Sequence, residues 1–229
     1  MSAEVRQMFA SIAGRYDATN ELLSLGVHRG WRKKAVRLAG AVPGARVIDC
    51  ATGTGDLALA FKRAVGPSGE VVGTDFCAEM LETAPAKAQA AGLAVSFSVA
   101  DALALPYPDG RFDIASIAFG IRNVDDPLAC LRELGRVVVP GGRVVVLEFG
   151  QPGGAFGALF RAYSRGVMPV VGGLMTGNRR AYEYLPRTAA AFPSGERFLA
   201  LMREAGVFAQ VSATRLTLGT AYVYVGVRA

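Results

Sequence analysis

Three carboxylates stand where they could contact a bound ligand. Asp49, Asp75 and Asp101 each lie at or just after the end of a short apolar run of strand length. In open α/β sheets ligands bind outside the carboxyl ends of the strands, so these acids could accept hydrogen bonds from ligand hydroxyl or amine groups. Each could also be an ordinary solvated strand end, but their recurrence after three successive strands favours a ligand site.

A glycine turn follows the first of these acids. Gly53 and Gly55 flank Thr54, and their missing Cβ atoms allow a tight turn against which a ligand can lie. The turn lacks the G-x-G-x-x-G form, and Asp56 would repel a pyrophosphate at the start of the following helix. A nucleoside with a positive centre, such as S-adenosylmethionine, therefore fits better than a nicotinamide dinucleotide. A purely structural turn is the alternative.

The second acid is spaced as a ribose-binding residue would be. Asp75 lies twenty residues beyond Gly55, the usual separation for an acid that accepts hydrogen bonds from ribose hydroxyls. On this interpretation Phe76 lies beside the adenosine.

Alternating strand and helix patterns predict the scaffold for these residues. One doubly wound α/β sheet is expected, in the order 3-2-1-4-5-7-6 with its last strand antiparallel. The predicted strands are 46–50, 70–75, 94–100, 112–119, 143–149, 207–214 and 220–228. A helix is predicted over 78–91, and another from Asp126–Pro127 to 139.

Two further segments flank this alternation. Residues 1–43 are predicted to be mainly helical, with a break at Tyr16–Asn20 and a basic helix beginning near Arg29, and are expected to form a lid over the site. Residues 150–193 interrupt the alternation with an apolar stripe that includes Phe160. Such a stripe is either core or a wall for a large apolar ligand.

Composition limits the possible classes. The chain has 229 residues, 52% of them hydrophobic, which predicts one folded domain over 1–229. Its apolar runs are too short to span a bilayer, its N-terminus lacks a signal-peptide pattern, and a cytoplasmic location is expected. Three scattered cysteines predict core residues and neither a disulfide framework nor a metal site.

The formal charge of +6 is densest over residues 28–37. This segment is either a solvated helix face or a surface for anionic membrane. Nucleic acid ranks last as a partner, because no aromatic residues interleave with the charges and no known nucleic-acid module is present.

Four sequence blocks resemble the ubiquinone/menaquinone biosynthesis C-methyltransferases, a branch of the class I methyltransferases that use S-adenosylmethionine. The resemblance extends over nearly the whole chain, and its most specific block is Gly-Ile-Arg-Asn-Val at 120–124. The blocks are 8–32, which includes Leu23-Ser24 and Trp31-Arg32; 49–56; 119–149; and 182–193.

This resemblance implies a Rossmann-like fold and transfer of a methyl group to a ring carbon of a polyprenyl quinol. Conversion of demethylmenaquinol to menaquinol is the leading expectation, and methylation of a benzoquinol in ubiquinone synthesis is the nearest alternative. Another small-molecule methyltransferase or a non-catalytic cofactor-binding scaffold stays open. A membrane-resident acceptor would favour peripheral contact with the inner face of the cell membrane. A homodimer is a further open expectation.

The resemblance also assigns cofactor contacts. Gly53, Thr54 and Gly55 would hold the amino acid part of the cofactor, and Asp75 its ribose. Adenine would meet Asp101 and Ala102. Asp49, Phe76 and Ala118 complete the expected cofactor site.

The sequence departs from the family pattern at three positions. Relatives often have Ser at Ala118, which removes an expected hydroxyl contact to the cofactor. They often have Gly at Thr52, and His where Tyr224 aligns, so no role is assigned to Tyr224.

Carbon methylation requires an activated acceptor, because a neutral aromatic ring carbon is a poor nucleophile. A base or a nearby cation would favour the phenolate. Arg122 is the candidate cation, with a structural bridge to a strand-end acid as its alternative. Tyr16 or Asp101, acting directly or through water, is the candidate base. His28 has an unperturbed pKa that would suit a base, but it lies in the basic helix and is expected to contact solvent or an acid.

Overall fold

The computed structural model describes residues 3–229, and its centre is a seven-stranded sheet in the order β3-β2-β1-β4-β5-β7-β6. Strands β1 to β5 are parallel, and β7 runs antiparallel between β5 and β6. The predicted strand order and the antiparallel last strand are confirmed. The strands are β1 (Arg46–Cys50), β2 (Glu70–Asp75), β3 (Ser96–Val99), β4 (Phe112–Ala118), β5 (Val138–Phe149), β6 (Phe208–Leu216) and β7 (Ala221–Arg228).

Helices cover both faces of the sheet and extend beyond its ligand-binding edge. In chain order they are α1 (Ala3–Ile12), α2 (Tyr16–Ser24), α3 (Val27–Leu38), α4 (Asp56–Val65), α5 (Ala78–Leu81), α6 (Ala84–Ala90), α7 (Pro127–Val137), α8 (Gly154–Ala162), α9 (Met168–Thr176), α10 (Arg179–Ala191) and α11 (Glu196–Glu204). Single turns of 3-10 helix lie at 13–15, 121–123 and 217–219, and a π-helical turn joins α8 to α9.

The sheet is buried on both faces, as its β-branched strands require. On one face Val47 of β1 packs with Phe61 of α4 and Val36 of α3. On the other face Ile48 packs with Leu131 of α7 and Phe198 of α11. Alternate residues of one strand therefore contact opposite helical layers, which fixes the strand's register.

Several predicted boundaries were wrong. The helix predicted over 78–91 is two short helices, and Pro85 lies in the first turn of the second, where its missing N–H costs nothing. The helix before β5 ends at Val137, and β5 begins at Val138, five residues earlier than predicted, with a register shift opposite β4. Strand β3 is shorter than predicted, and β6 ends at Leu216.

The break predicted at Tyr16–Asn20 is also wrong, because α2 runs through it. Thr19 and Leu23 are buried one turn apart on this helix, so tertiary packing overrides the weak local helix pattern. The helix ends where Leu25 and Gly26 adopt left-handed backbone conformations, with φ of 48° and 75°.

Helices α1 and α2 and the segment between β5 and α11 share a small core of their own. Ile12 and Leu23 pack there with Ala181 and Tyr182. Gly172 of α9 is required at this contact, since a Cβ atom there would lie 2.2 Å from the Tyr182 ring. The N-terminal helices and residues 150–193 therefore form one packed layer over the edge of the sheet.

No helix within residues 3–229 is both long enough and apolar enough to cross a bilayer. Cys50, Cys77 and Cys130 are all buried and unbonded to one another.

Candidate functional site

The turn after β1 brings backbone N–H groups to the edge of the sheet. Ala51, Gly53 and Gly55 all have positive φ, so the chain reverses within five residues before α4 begins. The Gly53 N–H donates a hydrogen bond of 2.8 Å to Asp75 Oδ2. The turn and the end of β2 are thereby joined.

Asp75 is a buried carboxylate held by backbone donors. Its Oδ1 accepts a second hydrogen bond of 2.9 Å from the Cys77 N–H. Burial raises the pKa of Asp75, and the N–H donors of Cys77 and Gly53 oppose this effect. The Phe76 N–H also opposes it, and a carboxylate has about four acceptor sites, so Asp75 keeps acceptor capacity for a ligand hydroxyl.

Asp49 lies beneath the turn and supports it. Its two oxygens accept hydrogen bonds of 2.6 Å from the hydroxyls of Thr52 and Ser116, and its side chain lines neither of the two cavities described below. Burial raises the pKa of Asp49 to about 6, although Ser116 and Thr52 oppose the shift. In this structure Asp49 therefore acts on a ligand only through the turn that it supports.

A smaller cavity lies along the ends of β1, β2 and β4. Six of the nine residues expected at the cofactor line it: Gly53, Asp75, Phe76, Asp101, Ala102 and Ala118. No lysine, arginine or histidine of residues 3–229 lines this cavity. Two carboxylates without a basic partner suit a nucleoside with a positive centre and do not suit a pyrophosphate. The lining therefore fits S-adenosylmethionine.

Thr54, at the centre of the turn, directs its side chain away from this cavity. Its hydroxyl donates a hydrogen bond of 2.6 Å to Asp17 Oδ1 of α2 and accepts one of 3.1 Å from Lys87 Nζ of α6. Lys87 also contacts Asp17 at 2.6 Å and Asp56 at 2.5 Å. Arg32 of α3 completes the cluster at 3.0 Å from Asp56. We call these five residues the lid cluster, because they connect α2 and α3 to the turn.

The lid cluster changes the significance of Asp56. Burial raises the pKa of Asp56, but Arg32 and Lys87 outweigh it and lower the pKa overall. Because two cations neutralise this carboxylate, it repels an anion less than its position in the sequence suggests. Exclusion of a pyrophosphate rests instead on the lining of the smaller cavity.

A larger cavity, about 1290 Å³ including the part open to solvent, lies between the N-terminal helices and residues 150–190. Helices α2 and α3 supply side chains that include Trp31 and Arg32, and the later segment supplies Phe160, Met168 and Leu185. Its wall is mainly apolar. Tyr16 and Phe119 line both cavities, so the two spaces meet at these residues.

Arg122 lines the larger cavity, and an acid and a backbone carbonyl hold its guanidinium in place. Its Nη1 contacts Glu148 Oε1 at 2.7 Å and donates a hydrogen bond of 2.7 Å to the Phe119 carbonyl. The structural bridge considered for Arg122 is therefore present, with Glu148 as its acid. Its Nε has no hydrogen-bond partner among residues 3–229 and is buried, so Arg122 can act on a ligand in this cavity through its charge and not through that donor.

The two candidate bases lie in different places. Asp101 lines the smaller cavity only, and one of its oxygens accepts a hydrogen bond from the Leu103 N–H. Tyr16 lies where the cavities meet, but burial raises its pKa above 10.0, although Asn20 and Arg122 oppose the shift. Tyr16 is thus a neutral phenol at neutral pH, and it is better suited to donate a hydrogen bond than to accept a proton.

His28 contacts an acid, as expected, but it also lines the larger cavity. Its ring is 90% buried, with Nε2 3.6 Å from Glu21 Oε2 and Nδ1 in contact with the Ser24 hydroxyl. Sequence reasoning set His28 aside as a base and did not identify Ser24 or Lys87 as site residues. The first two lie within or beside the N-terminal block of the family resemblance, whereas nothing in the sequence pairs Lys87 with Asp56.

The raised pKa of Asp49 leads to a stability prediction for Asp49→Asn. Its folded pKa of about 6 exceeds the usual 3.8, so folding favours the protonated acid. This contribution to the stability is present below about pH 4 and is lost as the pH rises through 6. Relative to the variant, the wild type should lose about 2–3 kcal/mol in its free energy of unfolding between pH 4 and pH 7. Urea unfolding at intervals of one pH unit checks this, and a constant difference would contradict it.

Comparison with known proteins agrees with this geometry. The family model described as "ubiE/COQ5 methyltransferase family" matches residues 1–228. The chain is 52% identical to the ubiquinone/menaquinone biosynthesis C-methyltransferase UbiE of Bdellovibrio bacteriovorus, over 97% of this chain and 94% of that protein. It is also 52% identical to the demethylmenaquinone methyltransferase of Thermus thermophilus, over 96% of this chain and all of that protein.

A solved structure supports the fold. An SAM-dependent methyltransferase from Thermotoga maritima superposes with a TM-score of 0.70 at 20% identity, covering 97% of this chain and 99% of that chain. The seven-stranded sheet and its order are thus those of a Rossmann-like class I methyltransferase. With a family model matching almost every residue and relatives identical at half of their positions, the chain belongs to the ubiE/COQ5 methyltransferase family.

Proposed function

We propose that this protein transfers a methyl group from S-adenosylmethionine to a ring carbon of a polyprenyl quinol, with demethylmenaquinol as its acceptor. The supporting observation is that a cavity lined by two carboxylates and no basic side chain meets a large, mainly apolar cavity at Tyr16 and Phe119. Two substrates bound in these spaces would touch at that point, as a direct transfer requires. The names of the two relatives agree with this reaction.

The smaller cavity would hold the methyl donor. Asp75 would accept hydrogen bonds from the ribose hydroxyls, and the Gly53 turn would lie against the amino acid part. Asp101 and Ala102 would contact the adenine. The cofactor would supply an electrophilic methyl group on a positively charged sulfur, and the carboxylates of this cavity favour that charge.

The larger cavity would hold the quinol. Trp31, Phe149 and Phe160 offer aromatic surface to a flat ring and to the start of an isoprenoid chain. Arg122 lines this cavity, and its positive charge would stabilise a developing phenolate. We also propose that residues 1–43 act as a lid and that residues 150–193 shape this pocket, and the residues within 16–32 and 150–190 that line it support this proposal.

The proposal predicts which acceptor is methylated. The protein is incubated with labelled S-adenosylmethionine and either a short-tailed demethylmenaquinol or the matching benzoquinol, both kept reduced. Label should enter the naphthoquinol. Label in the benzoquinol alone would instead indicate ubiquinone synthesis. Bound cofactor without label in either quinol would favour a scaffold or another acceptor and would contradict the proposal.

Asp75→Asn tests the cofactor site. The variant keeps the size of the side chain but loses the charge that binds the ribose hydroxyls, and a hydrogen bond to a charged group contributes about 1.5–3 kcal/mol. Its dissociation constant for S-adenosylmethionine should rise roughly 10- to 100-fold in calorimetry. Asp109→Asn, at an exposed acid that pairs with Arg136, is the control and should bind as the wild type does. Equal affinities for Asp75→Asn and wild type would exclude Asp75 from the site.

We further propose peripheral contact with an anionic membrane, with the larger cavity opening toward it. Helices α2 and α9 pack together and expose apolar side chains beside residues that line this cavity. Leu25 is 84% exposed and Leu174 is 81% exposed, and apolar side chains exposed beside the cavity mouth would suit insertion into the apolar layer of a membrane interface. Lys33 and Arg37 are exposed on the neighbouring α3. Arg32, in contrast, belongs to the lid cluster.

Vesicle sedimentation tests this contact with two double variants. Leu25→Asn with Leu174→Asn should weaken binding at least about tenfold to vesicles of any charge, because apolar burial is lost. Lys33→Glu with Arg37→Glu should weaken binding only to anionic vesicles, and less at high salt. Val99→Asn, an exposed apolar residue on the edge strand β3, is the control. A wild type that binds no vesicle would refute the contact. The expected homodimer stays a prediction for sedimentation equilibrium.

A further inference from the structure

None of Asp101, Tyr16 and Arg122 is suited to accept the hydroxyl proton of the quinol. Asp101 lines only the smaller cavity, and Tyr16 is a neutral phenol. Arg122 can attract a phenolate, but its guanidinium has no lone pair with which to accept a proton. Carbon methylation of a quinol nevertheless requires that the neighbouring hydroxyl become more electron-rich, so a proton acceptor at the larger cavity is needed.

Three side chains of α2 and α3 connect that cavity to the protein surface. Ser24 and His28 line the cavity, and the Ser24 hydroxyl contacts His28 Nδ1. His28 Nε2 lies 3.6 Å from Glu21 Oε2, an ion-pair distance. The His28 side chain is 10% exposed and that of Glu21 is 42% exposed, so the series runs from the cavity toward solvent.

The contacts indicate which nitrogen carries the proton. The Glu21 carboxylate favours the tautomer with hydrogen on Nε2, which leaves Nδ1 free to accept a hydrogen bond from Ser24. A hydroxyl has one hydrogen, and the Ser24 hydroxyl also lies 2.6 Å from the Asn20 carbonyl. The Ser24 hydrogen can therefore point either to Asn20 or to His28.

We propose that Ser24 and His28 form a relay that takes the hydroxyl proton from the quinol, with Glu21 positioned to balance the imidazolium that results. This inference rests on the proposed function. Ser24 Oγ accepts the quinol proton as its own hydrogen passes to His28 Nδ1. The electron pair of the broken O–H bond stays on the quinol oxygen and increases the electron density of the adjacent ring carbon.

The remaining steps balance. S-adenosylmethionine supplies the methyl group, and the electron pair of the broken C–S bond stays on sulfur. The methylated ring carbon then loses its hydrogen to water as a proton, which restores the aromatic ring, and the relay returns its proton to the quinol oxygen. One proton is released for each methyl group transferred.

The electrostatic surroundings of His28 suit this role. Burial, followed by Arg32 and Arg29, lowers the pKa of His28 below 6.5, and Glu21 and Asp56 oppose the shift. The imidazole is therefore neutral at pH 7 and can accept a proton. Charged and titratable groups that line the same cavity are Tyr16, Arg32, Arg122, Arg161, Tyr163 and Arg165.

The test measures kcat and KM from pH 5 to pH 9 with a short-tailed demethylmenaquinol. Ser24→Ala and His28→Asn should each lower kcat about 100-fold, the usual contribution of a general base. Their affinity for S-adenosylmethionine should stay that of the wild type. Ser96→Ala, an exposed serine of β3, is the matched control for loss of a hydroxyl and should retain full activity.

Two further readouts separate a relay from a structural role. With a halogenated naphthoquinol, whose hydroxyl is more acidic, the loss in Ser24→Ala should shrink because less base assistance is needed. Glu21→Gln removes a charge that raises the pKa of His28, so the rising limb of kcat against pH should move to lower pH. Loss of a side chain needed only for folding would change neither the dependence on quinol acidity nor the position of the pH limb. Glu21 is partly exposed, so Glu21→Gln still tests the relay if His28→Asn unfolds.

Each outcome decides between the two proposals. Wild-type label transfer with unchanged kcat and pH profiles in the variants would refute the relay and leave the proposed function intact. A wild type that methylates no quinol would remove both. The relay would be supported if Ser24→Ala and His28→Asn lower kcat, if Glu21→Gln moves the rising limb of kcat to lower pH, and if a more acidic quinol reduces the loss in Ser24→Ala.

Discussion

The buried ion pair between Arg122 and Glu148 is the interaction on which the geometry of both cavities depends. Its two side chains are 2% and 1% exposed, and the charged atoms lie 2.7 Å apart. A buried pair of this kind contributes little net stability, but removal of one partner leaves the other charge uncompensated, at a cost of about 3–5 kcal/mol. The ends of β4 and β5 are therefore held together where the two cavities meet.

Phe119 is the residue most directly constrained by this pair. Its carbonyl accepts a hydrogen bond from Arg122, and its backbone has φ of 55°, a conformation that a residue with a Cβ atom seldom adopts. Its ring packs 4.5 Å from the centroid of Phe149 and 6.2 Å from that of Trp31. The hydrogen bond from Arg122 and the ring contacts with Phe149 and Trp31 thus offset the strain in the Phe119 backbone. They hold the Phe119 side chain at the boundary between the cavities.

Sequence patterns predicted the sheet and the strand-end acids because both depend on local periodicity and on the rules of α/β topology. Asp75, Phe76, Asp101 and Ala102 accordingly line one cavity. Contacts between distant side chains could not be predicted in this way. Nothing local shows that Lys87 binds Asp56, and burial of His28 depends on packing of α3 against the rest of the lid. The helix at Tyr16 was missed for the same reason, since its stability comes from tertiary contacts.

The lid cluster has a consequence for how the protein exchanges its ligands. The same N-terminal helices cover the smaller cavity through Phe9 and Tyr16 and line the larger one through Leu23 and Trp31. Asp17 accepts a hydrogen bond from Thr54 of the turn after β1, and Arg32 forms an ion pair with Asp56 at the start of α4. A movement that opens one cavity must break those contacts and so disturbs the other cavity as well. If the two cavities hold donor and acceptor as proposed, departure of the spent donor and departure of the product would be coupled through one opening step.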